Sequence, residues 1–237
     1  MCRIRWCSLV VLFLLSSGSS LHSQYNERES YEQSEARYVY AGFVQRDFAP
    51  RSSNPIPDSV AITFNRLMPV IGLRQGPVDV MFGYTTYTLR GQNRSTIFFG
   101  ASIFQEFILS GRRSSSLVMP ITLSADFTKA EGVGVERENF NIASVGVGAG
   151  LKYRYNSESL DFSIQVGEIV HYSFEGLSTG NGFSAATVAD ALVLLPGALV
   201  FDGVVLGYRF RLQTWGMNRE QFNYRSVTHG PFLGVMF

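Results

Sequence analysis

The chain has 237 residues, 46% of them hydrophobic and 14% aromatic, with only 16% charged and a formal net charge of +1. Ordinary soluble domains carry roughly 25% charged residues, so this composition excludes a disordered chain, and the lack of a long basic run excludes a nucleic-acid binder. No run of about 18 apolar residues is present, which excludes a helical membrane protein, whereas 23 glycines and the aromatic excess point to β-structure with one face out of water.

Residues 1–23 read as a secretory signal peptide. Arg3 and Arg5 give a basic start, Ser8 to Leu15 a short apolar core, and Ser16 to Ser20 a stretch of small residues. Cleavage between Gly18 and Gln24, with Ser23 before Gln24 favoured, would remove both cysteines, Cys2 and Cys7. The exported chain would then hold no disulfide, so it is not a small stapled domain. Losing Arg3 and Arg5 leaves 18 basic against 19 acidic residues, a net charge of −1. Residues 24–36 are polar and read as a flexible periplasmic lead-in, and 37–237 as one domain.

From residue 37 the apolar period is two, the signature of strands. In chain order the spacing predicts strands at 37–46, 58–73, 78–89, 95–109, 116–128, 142–155, 159–173, 186–195, 200–215 and 224–237. In 58–73 the apolar face switches near Arg66-Leu67, which a bulge with Pro69 would explain. In 116–128 Leu117, Met119, Ile121, Leu123, Ala125 and Phe127 alternate with polar positions. In 142–155 Val145, Val147, Leu151, Tyr153 and Tyr155 share one face, opposite glycines, Lys152 and Arg154. Segment 186–195 is apolar on both faces and reads equally as a short helix. In 200–215 Val204, Leu206, Tyr208, Phe210 and Leu212 face away from Arg209 and Arg211.

These strands exceed the five or six residues usual in globular sheets and suit a tilted membrane crossing, which needs about 9 to 11. Tyr153 and Tyr155, and Tyr84 and Tyr87, stand late in their strands, where amphipathic rings fit a membrane–water boundary. At the C-terminus Leu233, Val235 and Phe237 alternate, and Phe237 is last. This resembles the closing strand of bacterial outer-membrane β-barrels, and the resemblance implies that the barrel-assembly machinery reads these three residues. Pro231 and His229 depart from the pattern. Connections alternate between short (74–77, 110–115, 156–158, 196–199) and mostly longer (47–57, 90–94, 129–141, 174–185, 216–223). That parity predicts a transmembrane antiparallel up-and-down barrel of ten strands, with eight as the alternative and both termini periplasmic.

The same parity turns Asp79, Glu106, Asp126, Lys152, Arg154, Asp161, Arg209 and Arg211 into the lumen. A barrel this narrow is nearly filled by its own side chains, so these charges are expected to pair as a network, with a narrow polar channel as the alternative. After the leader the basic residues are 16 Arg and 2 Lys, and arginine suits several partners at once.

Little catalytic chemistry is legible. Only His171 and His229 follow the leader, no His/Cys/Asp/Glu spacing suits a metal, and no cofactor is implied. His171-Tyr172-Ser173, with Gly148 to Lys152 on the preceding strand, resembles the lipid A deacylase family of outer-membrane barrels, which uses His and Ser two residues apart and a downstream Glu. Here Phe174 replaces that family's Asn, and Ser184 or Asp190 stands where the Glu would be sought. A lipid hydrolase must face lipid. Continuing the 160–166 register turns His171 and Ser173 to the lumen and Glu168 to lipid, whereas a bulge near Gly167-Glu168 would reverse them. A protease of the omptin kind would need paired acids and an Asp-His couple, and Glu131, Glu136 and Glu138 in one outer loop bring no nearby His.

The sequence therefore predicts an integral barrel of the bacterial outer membrane with a structural or surface-interaction role. Its expected partners are outer-membrane lipids, the assembly machinery and an extracellular ligand met by the loops 47–57, 129–141 and 174–185. A lipid A-modifying hydrolase using His171 and Ser173 and a narrow channel are the alternatives.

Overall fold

The computed structural model describes residues 36–52, 55, 61–112, 114–132, 139–175, 180–197 and 202–237. The leader 1–23, nearly all of the lead-in, and parts of the loops 47–57, 129–141 and 174–185 lie outside the described residues.

Ten strands form: β1 (Arg37–Pro50), β2 (Phe64–Gln75), β3 (Val78–Leu89), β4 (Gln92–Arg112), β5 (Ser115–Ala130), β6 (Phe140–Asn156), β7 (Asp161–Glu175), β8 (Asn181–Pro196), β9 (Gly203–Met217) and β10 (Tyr224–Met236). Each pairs antiparallel with its neighbours in sequence, and β1 pairs with β10 from Tyr38↔Met236 to Pro50↔Tyr224, so the ring is closed. Closure leaves no edge strand, which is the condition for backbone to cross hydrocarbon. The ambiguous segment 186–195 lies within β8, a strand of 16 residues bonded to β7 and β9, so the count is ten.

Alternation decides what each face meets. On β9 Leu206 and Tyr208 point out and Val205, Gln213 and Trp215 are buried inside. On β6 Val145, Val147, Leu151, Tyr153 and Tyr155 point out, while Ser144, Lys152 and Arg154 are buried. The wall is therefore apolar outside and polar inside, the inverse of a water-soluble barrel and the pattern of one that stands in lipid. Leu233, Val235 and Phe237 continue this outward face at the end of β10, with Leu233 and Phe237 more than half exposed.

Three readings of the sequence need correction. First, 58–73 holds no bulge: β2 pairs with β1 without interruption from Phe48↔Phe64 to Arg37↔Gln75. Phe64, Met68 and Val70 point inward while Leu67 and Ile71 point outward. The apparent switch arises because Ile62 and Phe64 fill the lumen and the odd residues beyond them meet lipid. Pro69, which has no N–H to donate, stands just where the β2–β3 ladder stops at Val70↔Gly83. The register shift lies instead between Ile108 and Ser110 on β4. Second, the outer connection at 90–94 is only a two-residue turn, Arg90-Gly91, between Leu89 and Gln92; both turn residues have positive φ, as a type I′ hairpin requires. Third, Tyr87 is buried in the lumen, not at the membrane boundary. Of the two registers left open for 159–173 the uninterrupted one is found: the pairing of β7 with β6 and β8 runs unbroken through Gly167 and Glu168.

Candidate functional site

The lumen is where the chain gathers its charge. Taken from the inner end, where both barrel termini lie, three ionic clusters come first. Glu106 of β4 bonds Lys152 Nζ at 2.8 Å and also Arg154 of β6. Above it Arg209 of β9 bridges Asp79 (Nη2–Oδ2, 2.6 Å) and Asp190 (Nε–Oδ1, 3.0 Å), and Tyr40 donates its hydroxyl to Asp79 at 2.9 Å. Higher still, Asp126 of β5 bonds Arg211 and lies 3.0 Å from His171 Nε2. Glu106, Asp79 and Asp126 thus hold two groups each, and removing one of them takes a partner from two groups in a medium where unpaired charge costs several kcal/mol.

The predicted inward residues Asp79, Glu106, Asp126, Lys152, Arg154, Arg209 and Arg211 all meet in these clusters, and Asp161 takes the inward parity at the inner rim. Two cations escaped the sequence reading. Arg74, one residue past the predicted end of its strand, lies over the Phe104 ring at 4.3 Å. Arg46 is 1% exposed, with hydroxyls of Ser226, Thr96 and Thr128 each 3.4 Å away and the Phe48 and Phe98 rings on its flanks. The alternation Val44-Arg46-Phe48 on β1 could have revealed it.

Toward the outer end the chemistry changes. Phe48, Phe64, Tyr87, Phe140, Trp215, Phe222 and Tyr224 pack into one cluster across the lumen, Phe48 stacked on Tyr224 at 4.8 Å and edge-on to Phe140 at 5.0 Å. These rings come from β1, β2, β3, β6, β9, β10 and the 3-10 turn Glu220–Phe222, and packed together they cap the lumen. Beneath it, a cavity of about 100 Å³ is lined by Asp79, Ser124, Asp126, Asp190, Arg209 and Arg211 among others. That is room for a few waters among polar groups.

His171 and Ser173 both face this lumen and are 0% exposed. Ser173 Oγ bonds Ser144 at 2.8 Å and Ser184 at 3.1 Å. His171 meets Ser124 Oγ (2.8 Å) and Asp126 through the same ring atom, Nε2, while Nδ1 is buried without a partner. A nucleophile relay needs hydroxyl and carboxylate on opposite ring nitrogens, so Ser124, His171 and Asp126 do not form one, and Ser173 bonds other serines. Asp190 is engaged by Arg209. The ring of His171 fits because Gly146 stands opposite, where a Cβ would approach His171 Cδ2 to 2.5 Å. The outward turn that a lipid-facing hydrolase needs is absent here.

At the outer rim Glu131 accepts the Ser95 N–H at 2.9 Å and pairs with Lys129 at 3.4 Å. Burial pushes its carboxyl up, but the Ser95 N–H and Lys129 outweigh that and hold it below the ordinary carboxylate value. Glu136 and Glu138 lie outside the described residues. Among the described residues no group of three or more His, Cys, Asp or Glu could hold a metal ion.

A closed wall that is apolar outside and charged within defines this chain as a small β-barrel of the bacterial outer-membrane kind. No family model and no curated protein matches its sequence. Among solved structures it is similar to the outer-membrane protease OmpT of Escherichia coli (TM-score 0.40, 8% identity, 85% of this chain and 97% of that one). It is also similar to Neisserial surface protein A (0.34, 12%, 85% and 97%) and to the outer-membrane protein OprG of Pseudomonas aeruginosa (0.32, 9%, 85% and 93%). Likeness this distant carries over no activity.

Proposed function

We propose that the protein is a non-enzymatic outer-membrane barrel whose role is structural or lies in surface contact. The observation that supports this is the filled lumen: paired ionic clusters below and an aromatic cap above, with Trp215 and Phe48 at most 1% exposed. A plugged cylinder offers no path for solute, so its interactions fall to the loops at the outer end and to the lipid-facing wall. Residues 1–23 are read as the export address, and Leu233, Val235 and Phe237 as the outward-facing strand end offered to the assembly machinery. The loops 47–57, 129–141 and 174–185 are read as the parts that meet an extracellular ligand.

The test is single-channel recording in planar bilayers. Inserted protein should give no resolved conductance steps. Steady steps of uniform size from the wild-type chain would overturn the plugged reading in favour of a channel.

A further inference from the structure

The wall has one seam that is not zipped to its outer end. β2 and β3 pair only from Gln75↔Val78 to Val70↔Gly83. Beyond that, residues 64–69 bond to β1 and residues 84–89 to β4, and a slot separates the two stretches. Side chains cross it: Thr85 donates its hydroxyl to the Leu67 carbonyl at 3.0 Å, and the rings of Phe64 and Tyr87 stack at 4.3 Å. The N–H and C=O of one strand residue point to the same side, so the amides of Leu67 and, two residues on, Asn65 turn into the slot. Arg66 stands between them. By alternation it belongs to the lumen, yet it is exposed, while Phe64 and Met68, its neighbours on the same face, are 5% and 0% exposed. Its way out is therefore the slot and not the lumen. Its direct partner on β1 is Arg46, and like charges directly opposed repel. Among the described residues Arg66 has no ion pair and no hydrogen-bond partner.

The slot opens where the outer face leaves its apolar band. Along each strand the outward residues change there from apolar or aromatic to polar: Phe43 to Gln45 on β1, Leu67 to Asn65 on β2, Tyr84 to Thr86 on β3. Below it Phe43, Ile71 and Phe82 are 57%, 60% and 43% exposed. An unpaired guanidinium and open amides above a bare apolar wall complement an anion carried on hydrocarbon chains. We propose that the slot binds the phosphate headgroup of an acidic lipid of the outer leaflet. Arg66 and the N–H groups of Asn65 and Leu67 donate to the phosphate oxygens, and the acyl chains lie along Phe43, Ile71 and Phe82. The inference rests on the wall facing lipid, which membrane insertion tests separately.

Quenching by lipids with brominated acyl chains tests it. The full chain is reconstituted in phosphatidylcholine vesicles with a tryptophan reporter on the outer wall, either Phe82→Trp below the slot or Phe183→Trp on β8, across the ring from β2 and β3. The signal of the native tryptophans is subtracted with the unsubstituted chain. Brominated phosphatidic acid should quench Phe82→Trp about three- to fivefold more strongly than the same fraction of brominated phosphatidylcholine, the scale of one half-exposed charge pair. Phe183→Trp should show no preference. Adding Arg66→Gln should abolish the preference at Phe82→Trp, and Arg66→Lys should keep part of it. Inorganic phosphate, compared with chloride at equal ionic strength, should leave the preference unchanged. Chains that do not float with the vesicles or show no heat-dependent gel shift would overturn the barrel reading and the proposal with it. In chains that pass, equal quenching by both lipids, the same preference at Phe183→Trp, or a preference that survives Arg66→Gln would overturn the proposal alone. Loss of the preference to inorganic phosphate would assign the slot to the free ion instead. A Phe82→Trp reporter that neither lipid quenches, beside a quenched Phe183→Trp, would mean that a second copy covers the seam, and would also overturn it.

Discussion

The lumen is filled in two ways, and they fail differently. The inner part carries the ionic clusters beside a buried apolar cluster that includes Met81, Val205 and Phe232: Glu106, Asp79 and Asp126 each hold two partners by direction and distance. The outer third is aromatic, and Phe48, Phe140, Trp215 and Tyr224 hold one another by contact area. Rings tolerate small displacements because area is lost gradually. An ionic cluster does not, because deleting one shared carboxylate takes a partner from two desolvated groups at once.

That contrast can be broken from its stronger side. Asp126→Leu removes the carboxylate that Arg211 and His171 share, leaving them Gln213 and Ser124, and should cost about 3–5 kcal/mol, read as a lowered urea midpoint for the barrel in lipid vesicles. A midpoint shift no larger than that of a surface variant would mean the cluster is wet. Phe140→Ala, in the middle of the cap, should cost about 3 kcal/mol, the low end for a buried ring because the outer end can admit water. It should leave the ionic clusters intact. If it cost more than Asp126→Leu, the ranking of the two regions would be reversed.

Gly146→Ala probes the ionic side by size instead of charge. Its Cβ would sit 2.5 Å from His171 Cδ2 and 2.6 Å from the Val170 carbonyl oxygen, so overpacking should cost about 1–3 kcal/mol. A His171→Ala partner change should recover part of it. Ser173→Ala removes hydroxyl contacts to Ser144 and Ser184 and should cost about 1 kcal/mol. It should leave the acyl content of lipid A unchanged from wild type. Wild-type deacylation that vanishes in this variant would refute a structural Ser173. The smallest effect concerns Glu131 at the rim. Its carboxyl titrates below the ordinary value, so its contribution is present at neutral pH and above the unfolded value. It is lost as pH falls through the folded value. Glu131→Gln should therefore lower stability slightly at neutral pH and above, by an amount that vanishes as pH falls through the folded value, and so flatten the acid limb of a stability–pH profile.

Which residues face inward was legible because the side-chain period of a strand is two: Arg209 and Arg211 on one side of β9 and Leu206 and Tyr208 on the other follow from spacing alone. Which inward groups meet was not. Arg211 and Asp126 are 85 residues apart and touch through register and barrel curvature, neither of which alternation encodes. Arg74 was lost by ending a strand one residue early, and Arg46 by ending its strand at 46, before Phe48 completes the alternation Val44-Arg46-Phe48. The false bulge at Arg66-Leu67 has a physical source: an apolar residue satisfies two different environments, lipid outside and the aromatic cap inside. His171 and Ser173 share a face, as spacing required, but spacing could not reveal that Ser124 and Asp126 would crowd onto one nitrogen of the ring.

The central claim is that this wall stands in lipid around a filled lumen. It is tested most directly by extracting outer membranes with alkaline carbonate and running the retained protein on a detergent gel with and without boiling. The account predicts that the protein stays with the membrane and that the unboiled sample migrates at a different apparent mass. Release by carbonate together with identical migration before and after boiling would contradict it and assign the alternation to a water-soluble β-protein.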